Sequence, residues 1–171
     1  MANHIVLVHP AIPQNTGNIM RTCVATHTTL HIIKPMGFSL DDKHMKRAGL
    51  DYIKDLHLII YEDWQDFVSK NQGKYHFFTR YSKLCFTDQS YVSDEDQYLI
   101  YGHEHDGIPH DILKDHLDEC VRIPMDGNAR SLNLSNCVAI GIYEALRQQN
   151  YPSLSKVEVQ KGEDFLYDEK I

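Results

Sequence analysis

Residues 130–136 read Arg130-Ser131-Leu132-Asn133-Leu134-Ser135-Asn136 and join a β-like run to a helix-like one. The run before them is Val121-Arg122-Ile123-Pro124-Met125, and the apolar run 137–146 follows. A strand that leads through a polar loop into a helix is the unit from which α/β folds are built. Serine and asparagine at such a boundary cap helices well, and their hydroxyl and amide groups can also bind a ligand. The segment therefore predicts either a helix cap or a ligand-binding loop.

The same alternation of β-like and helix-like runs extends over the whole chain. Short apolar runs predict strands at 4–9, 30–34, 57–61, 75–79, 98–101 and 120–124. Helical periodicity predicts helices at 16–27, 42–48, 63–71, 110–116 and 133–149. Continuous apolar strands separated by helices favour an α/β fold with a mostly parallel sheet and helices on both faces.

The size of the chain and the end of its apolar pattern predict one domain and a tail. The 171 residues are enough to bury a core. Because the apolar periodicity ends near residue 150, we expect a domain at 1–150 and a C-terminal tail at 151–171, with a mobile tail favoured over a docked one.

The composition also bears on the location of the protein. No apolar run approaches the roughly eighteen residues that a membrane helix needs, and the N-terminus lacks the basic segment of a signal peptide. Four scattered cysteines without a CxxC pair favour reduced thiols over disulfides or a zinc site. We therefore expect a cytoplasmic protein that does not enter a membrane.

The net charge of −7 does not indicate nucleic-acid binding, although phosphates respond to the local charge rather than the total. Lys43, Lys46 and Arg47 are spaced to share one face of a helix. That face is either an ordinary solvated surface or a patch that binds phosphates.

Three loops that follow apolar strands are rich in glycine, asparagine, serine and charge. In parallel sheets ligands gather where strands end, so each loop is a candidate site. The first loop, 13–21, contains Gly17, which would let backbone approach a ligand closely, and Arg21 one turn later. Its glycine spacing matches neither a P-loop nor a dinucleotide fingerprint. A simple helix cap is the alternative.

The second loop, 101–110, places Gly102 and Gly107 on either side of a charged stretch. Its histidines and carboxylates could suggest a metal site, but the chain shows no second cluster with matching spacing. An exposed turn and an organic ligand held by the glycine backbone are the other interpretations. The third loop, 123–136, lacks the Gly-x-Ser-x-Gly elbow of a serine nucleophile.

Taken together, these loops resemble the three motifs of the SPOUT class of RNA 2'-O-ribose methyltransferases. The stretches that carry the resemblance are 15–21, 101–109, and 123–125 with 131–136. Within the class the chain most resembles the small tRNA (cytidine/uridine-34-2'-O)-methyltransferases. The match covers roughly residues 4–152.

The resemblance implies a C-terminal deep trefoil knot, which local patterns would not propose because knots are rare. It further implies S-adenosylmethionine as the cofactor, bound in the knot, and no metal. The implied partners are the anticodon stem-loop of tRNA, methylated on the ribose of wobble nucleotide 34, and a second copy of the chain. The homodimer would complete each active site across its interface.

The resemblance also implies a set of site residues. The catalytic residues would be Arg21, Glu104, Ser131 and Asn133. The cofactor would lie against Thr79, Gly102, Ile123 and Ser131. The substrate would contact Asn15, Lys43, Lys46 and Arg47.

His103 and Asp106 depart from the residues common in this class, which affects the expected substrate preference more than catalysis. Three alternatives remain open. The chain could methylate another tRNA or rRNA ribose, or it could be a knotted RNA-binding module without activity. It could also be a hydrolase or metal enzyme that uses the histidines of 103–110.

Overall fold

The computed structural model describes residues 1–40 and 53–167. The helix expected at 42–48, with Lys43, Lys46 and Arg47, lies outside the described residues. The strands are β1 Asn3–Val8, β2 Thr29–Ile33, β3 Leu58–Tyr61, β4 Lys74–Phe78, β5 Gln97–Tyr101 and β6 Cys120–Val121. The helices are α1 Pro13–Ala25, α2 Trp64–Lys70, α3 His110–Asp115 and α4 Leu134–Gln148. Short 3-10 helices lie at Ile53–Asp55, Phe86–Asp88 and Leu117–Glu119.

The six strands form one sheet in the order β3-β2-β1-β5-β4-β6, and each pairing among them is parallel. The expected parallel sheet is confirmed. The strand order reverses direction at β1, which pairs with β2 on one side and β5 on the other. Such a reversal leaves a crevice at the carboxyl ends of the two strands, where α/β proteins bind ligands.

Helices cover both faces of the sheet, as the sequence predicts. On one face the core joins inward residues of β1, β2 and β5 to α1 and α4, through Ile19, Met20, Val138 and Ile142. On the other face it joins the sheet to α2 and α3 through Phe67, Ile112 and Leu113. Alternate residues of each strand feed the two cores, which explains why the strands are apolar throughout.

Two elements differ from their predicted bounds by more than one residue at either end. The helix α1 begins at Pro13 rather than at residue 16, because proline suits the first turn of a helix, where its missing N–H is not needed. The strand β6 ends at Val121 rather than at residue 124. Its continuation at Arg122 pairs outside the sheet, donating to Leu84 at 2.9 Å and accepting from Phe86 at 3.0 Å.

Beyond residue 150 the described chain forms turns. Tyr151 and Leu154 pack against the core, whereas Leu166 and Tyr167 are both 83% exposed. All four cysteines are free thiols, in agreement with the sequence. Within the described ranges, no helix combines the length and the apolar character required to cross a membrane.

Candidate active site

A cavity of about 450 Å³ opens at the carboxyl ends of β4 and β5. Its walls come from the ends of those strands, from the loop after β5, and from the segment between β6 and α4. The four residues expected to bind the cofactor, Thr79, Gly102, Ile123 and Ser131, all line it. Its volume lies within the range of about 300–1,000 Å³ that is typical of small-molecule sites. The structure thus brings these four distant positions together, and their role in cofactor binding stays a prediction.

The loop after β5 is closed by its own backbone. The amides and carbonyls of His103 and Gly107 exchange two hydrogen bonds, at 3.1 and 2.8 Å. Gly107 has a φ of +75°, and a Cβ at Gly102 would lie 2.0 Å from the carbonyl carbon of Gly107. Only glycine fits at position 102, so the loop presents bare backbone to the cavity.

The Glu104 carboxylate ties this loop to the start of α1. It accepts hydrogen bonds from the backbone amides of Ala11 at 2.8 Å and Ile12 at 3.0 Å, and from Nδ2 of Asn15 at 3.2 Å. Hydrogen bonds to a carboxylate are stronger than neutral ones. Glu104 therefore fixes the position of the chain segment that precedes α1.

Asn15 extends this connection to the third loop. Its Oδ1 accepts from Nδ2 of Asn133 at 2.9 Å, and Oδ1 of Asn133 accepts from the amide of Ser135 at 2.9 Å. Asn133 is therefore the N-cap of α4, so segment 130–136 does contain the helix cap that its sequence predicts. We call Glu104, Asn15 and Asn133 the loop clamp, because together they join all three predicted loops.

Asn15 itself has little surface left for a substrate. It is 6% exposed, and both ends of its side-chain amide are bonded within the protein. Gly17 is buried inside α1 and does not line the cavity. The first loop thus contributes hydrogen bonds to the other loops, whereas the sequence suggested that its glycine approaches a ligand.

The side of the cavity near β4 is held by three further contacts. The Thr79 amide donates to the carbonyl of Val121 at 2.9 Å, and the Thr79 hydroxyl accepts from the amide of Tyr81 at 3.3 Å. The Arg122 guanidinium donates to the carbonyl of Arg80. These contacts set the backbone of 79–81 against the end of β6.

Ser131 and Arg21 lie in different surroundings. Ser131 is exposed and lines the cavity, next to Arg130 and Leu132. Arg21 is exposed on α1 and is not part of the cavity wall of its own chain.

The cavity wall also contains residues that were not among the predicted site residues, including Phe78, Tyr101, Leu134 and Cys137. Tyr101 and Phe78 end their strands just before the loops, a position that could have indicated them. Burial raises the pKa of both the Tyr101 hydroxyl and the Cys137 thiol, so neither is ionised at neutral pH. The Tyr101 hydroxyl is buried and has no hydrogen-bond partner.

The histidine-rich second loop does not assemble a recognisable metal centre. Among residues 1–40 and 53–167, no group of three or more His, Cys, Asp or Glu side chains is arranged to hold a metal ion. Nδ1 of His103 instead accepts from the amides of His105 at 3.1 Å and Asp106 at 3.3 Å. This side chain thereby stabilises the turn of its own loop.

Comparison with known proteins relates the chain to RNA-modifying enzymes. The sequence model of the SpoU rRNA Methylase family matches residues 2–143. A protein of Bacillus subtilis (strain 168) is 48% identical over 156 residues, which cover 90% of this chain and 98% of the relative. That relative bears the provisional name tRNA (cytidine(34)-2'-O)-methyltransferase.

Two solved structures share the fold. One, described as giving structural insights into the 2-OH methylation of C/U34 on tRNA, has a TM-score of 0.82 and 35% identity, and the match covers 87% of this chain and 97% of that one. An AdoMet-bound rRNA methyltransferase from Sinorhizobium meliloti has a TM-score of 0.77 at 22% identity, with 85% and 56% covered. At that identity the second structure supports the fold alone.

Proposed function

The chain belongs to the SpoU rRNA methylase family, and on this premise we propose that it methylates the 2'-oxygen of the ribose of wobble nucleotide 34 in tRNA. The acceptor is cytidine or a modified uridine, and the methyl donor is S-adenosylmethionine. The observation that carries the proposal is the cavity of about 450 Å³, on whose wall Thr79, Gly102, Ile123 and Ser131 converge. The relatives named for this reaction support the choice of substrate.

The cavity wall suits S-adenosylmethionine. The bare backbone at Gly102 and Gly107 offers amides and carbonyls at close range, and Ile123, Leu132 and Leu134 add apolar surface. Adenine needs both hydrogen-bonding groups and apolar surface, because its edges form hydrogen bonds while its faces are apolar. When bound, S-adenosylmethionine supplies a methyl group activated by its sulfonium charge.

The residues of this chain orient the acceptor and stabilise its charge. Ser131, exposed at the cavity, holds the ribose hydroxyl in line with the donor, because correct positioning supplies much of the rate in a two-substrate transfer. Glu104 and Asn133 act indirectly. As part of the loop clamp they keep the second and third loops at a fixed separation.

Arg21 stabilises the negative charge that develops on the 2'-oxygen as its proton leaves. A guanidinium is protonated at all relevant pH values, so electrostatic stabilisation suits it better than proton abstraction. It also holds the neighbouring phosphate through paired hydrogen bonds.

A homodimer completes each site in this proposal. Arg21 lies outside the cavity wall of its own chain, which fits a role at the cavity of the partner. Ile140 and Tyr143 of α4, 38% and 48% exposed, supply apolar surface for such an interface. Lys43, Lys46 and Arg47 add a basic patch for the anticodon stem, and the dimer presents two such patches, which attract phosphates locally although each chain has a net charge of −7.

We also propose that the C-terminal part of the chain threads a deep trefoil knot. The connection between β4 and β5 contacts the end of α4, since the Tyr91 amide donates to Gln148 at 3.1 Å and Gln149 donates to the carbonyl of Tyr91 at 2.8 Å. The same connection pairs with Arg122 after β6. These contacts of the connection with the chain after β6 and with the end of α4 are the observations that support the proposed knot. Backbone tracing in an experimental structure tests the proposal.

The remaining proposals concern location and boundaries. A tRNA-modifying enzyme acts where tRNA is, so we place the protein in the cytoplasm. We keep the division into a domain at 1–150 and a tail at 151–171, with the tail dispensable for methyl transfer.

The decisive experiment incubates the protein with labelled S-adenosylmethionine and total tRNA, and then maps the labelled nucleoside. We expect 2'-O-methylation at nucleotide 34. Label on a base, or at a ribose outside the anticodon loop, would refute the assignment. A parallel incubation with rRNA tests the alternative that the name of the family suggests.

A further inference from the structure

A second concavity of about 360 Å³ lies beside the first at the same edge of the sheet. Its walls are His9, His103, Asp106, Gly107, Ile108, Pro109 and His110. Four of these residues also line the first cavity, so loop 102–110 separates the two. A ligand in the first cavity therefore lies directly beside the second cavity.

Tyr81 connects the rims of the two cavities. Its side chain is 64% exposed and lines the first cavity. Its ring meets that of His110 edge-to-face, with centroids 5.5 Å apart and an interplanar angle of 88°, and His110 lines the second cavity. The Arg80 guanidinium lies 5.8 Å from the Tyr81 ring centroid. The three side chains form an aromatic and cationic rim.

The backbone of this rim is held in place before any ligand arrives, and the Tyr81 ring packs on His110. The backbone of Tyr81 is fixed by its hydrogen bond to Thr79, and that of Arg80 by the guanidinium of Arg122. A side chain that is already held in place loses little conformational entropy when a ligand packs on it. An exposed, ordered aromatic ring at a proposed RNA site is the arrangement that proteins use to stack bases of single-stranded RNA.

The His9 imidazole of the second cavity is suited to a neutral partner. Burial lowers the pKa of His9, and the proximity of His103 lowers it further, so His9 is neutral at physiological pH. The Asp106 carboxylate lies 3.4 Å from Nδ1 of His103, and the same nitrogen faces the amides of His105 and Asp106 at 3.1 and 3.3 Å. A neutral imidazole has one donor and one acceptor, as the edges of nucleobases do.

We propose that Tyr81 and the cavity lined by His9, His103 and His110 form a subsite for the base of the nucleotide adjacent to the methylated one. Tyr81 stacks on that base, and the imidazoles form hydrogen bonds with its edge. The subsite rests on the proposed function. It explains how an anticodon-loop nucleotide could be held when its neighbour is turned into the first cavity and the two bases no longer stack on each other.

The test measures binding of an anticodon stem-loop RNA to the full-length protein by fluorescence anisotropy. Because base–aromatic stacking contributes about 1–3 kcal/mol, Tyr81→Leu should weaken binding about tenfold. Tyr81→Phe keeps the ring and should restore the affinity. Tyr167→Leu, which removes another exposed tyrosine at the far end of the chain, is the matched control. Thermal unfolding verifies that each variant is folded.

Two further RNAs, abasic at nucleotide 33 or at nucleotide 35, complete a double-mutant cycle. One of them should bind the wild-type protein about tenfold more weakly, and Tyr81→Leu should bind that RNA as well as the wild type does. Equal binding of intact RNA by Tyr81→Leu and wild type, or additive losses with both abasic RNAs, would overturn the subsite. Failure of the wild type to methylate the intact RNA would overturn the proposed function, since the binding cycle does not depend on methyl transfer. Failure of the wild type to bind the RNA would overturn both.

Discussion

Two of the polar networks in the described part of the chain join residues remote in sequence and differ in almost every respect. The loop clamp joins Glu104, Asn15 and Asn133 at the carboxyl edge of the sheet, beside a cavity. The imidazole network lies beneath α2, where His4 bonds His31 at 2.9 Å, His31 bonds Tyr61 at 2.9 Å, and Tyr61 bonds Asn71. The clamp connects loops, whereas the imidazole network connects β1, β2 and β3 with the end of α2.

Their surroundings explain the difference. The clamp contains a carboxylate that backbone amides hold, next to solvent-accessible loops. The imidazole network is packed in aromatic rings, with His4 stacked on Tyr98 at 4.4 Å and His31 edge-to-face with Phe67 at 5.7 Å. We therefore expect the clamp region to control activity and the imidazole network to control stability.

The largest expected effect is a loss of catalytic rate when Arg21 is replaced. Arg21→Ala should lower kcat for methyl transfer by about a thousandfold, or about 4 kcal/mol of activation free energy, because a charge on the 2'-oxygen would go unstabilised. Cofactor affinity, measured by calorimetry, should stay close to that of the wild type. Lys70→Ala, which removes an exposed cation of α2, is the control. Wild-type turnover in Arg21→Ala would refute the role of Arg21.

The second effect is the dependence of stability on pH. Burial, followed by the proximity of His4 and His57, lowers the pKa of His31 from 6.5 to about 3. The unfolded chain therefore binds more protons than the folded one between these values, and stability present above pH 6.5 is lost as the pH falls. We expect the free energy of unfolding to drop by about 3 kcal/mol from pH 7 to pH 4 through this group.

Urea unfolding at a series of pH values measures this loss. The His31→Gln variant, which cannot titrate, should show a shallower pH dependence over the same range while keeping its turnover at pH 7. An unchanged slope in the variant would assign the acid sensitivity to other groups. It would contradict the expectation that the imidazole network controls stability.

A third prediction concerns the centre of the clamp. Glu104→Gln replaces one acceptor oxygen by an NH₂ group that faces amide donors, so at least one backbone amide loses its partner. We expect a loss of about 2 kcal/mol in unfolding free energy and a larger relative loss of cofactor affinity. If the variant loses stability but binds cofactor normally, the clamp is only structural.

The smallest expected effect is on the hydrogen bond that joins the first and third loops. Asn15→Ala and Asn133→Ala each remove one side of the 2.9 Å hydrogen bond, and Asn133→Ala also removes the cap of α4. Each should cost about 1 kcal/mol, and the double variant should lose less than the sum. Additive losses in urea unfolding would show that the two residues do not act together.

Much of the fold follows from local sequence, because its strands are continuous apolar runs whereas its helices have apolar residues at helical spacing. The apolar runs gave the strands, and the parallel sheet with helices on both faces follows from their alternation. The bounds of β6 could not be predicted, since Arg122 pairs with Leu84 and Phe86, which are remote in sequence.

The site was only partly accessible to sequence analysis. Thr79, Gly102, Ile123 and Ser131 were found through their resemblance to known motifs, and all four line the cavity. The partners of Glu104 could not be found in this way, because the amides of Ala11 and Ile12 are backbone groups that any residue type supplies. The proposed subsite likewise depends on a ring contact between Tyr81 and His110, which no spacing in the sequence reveals.

The central position of β1 has a consequence for synthesis on the ribosome. β1 is the first strand to emerge, and its pairing with β2 can form early, but its other neighbour is β5, which ends at Tyr101. One hydrogen-bonding edge of this largely buried strand thus stays open until β5 has been made. Open strand edges promote aggregation. We therefore expect nascent chains stalled before Tyr101 to engage chaperones, and those stalled after it to be released from them.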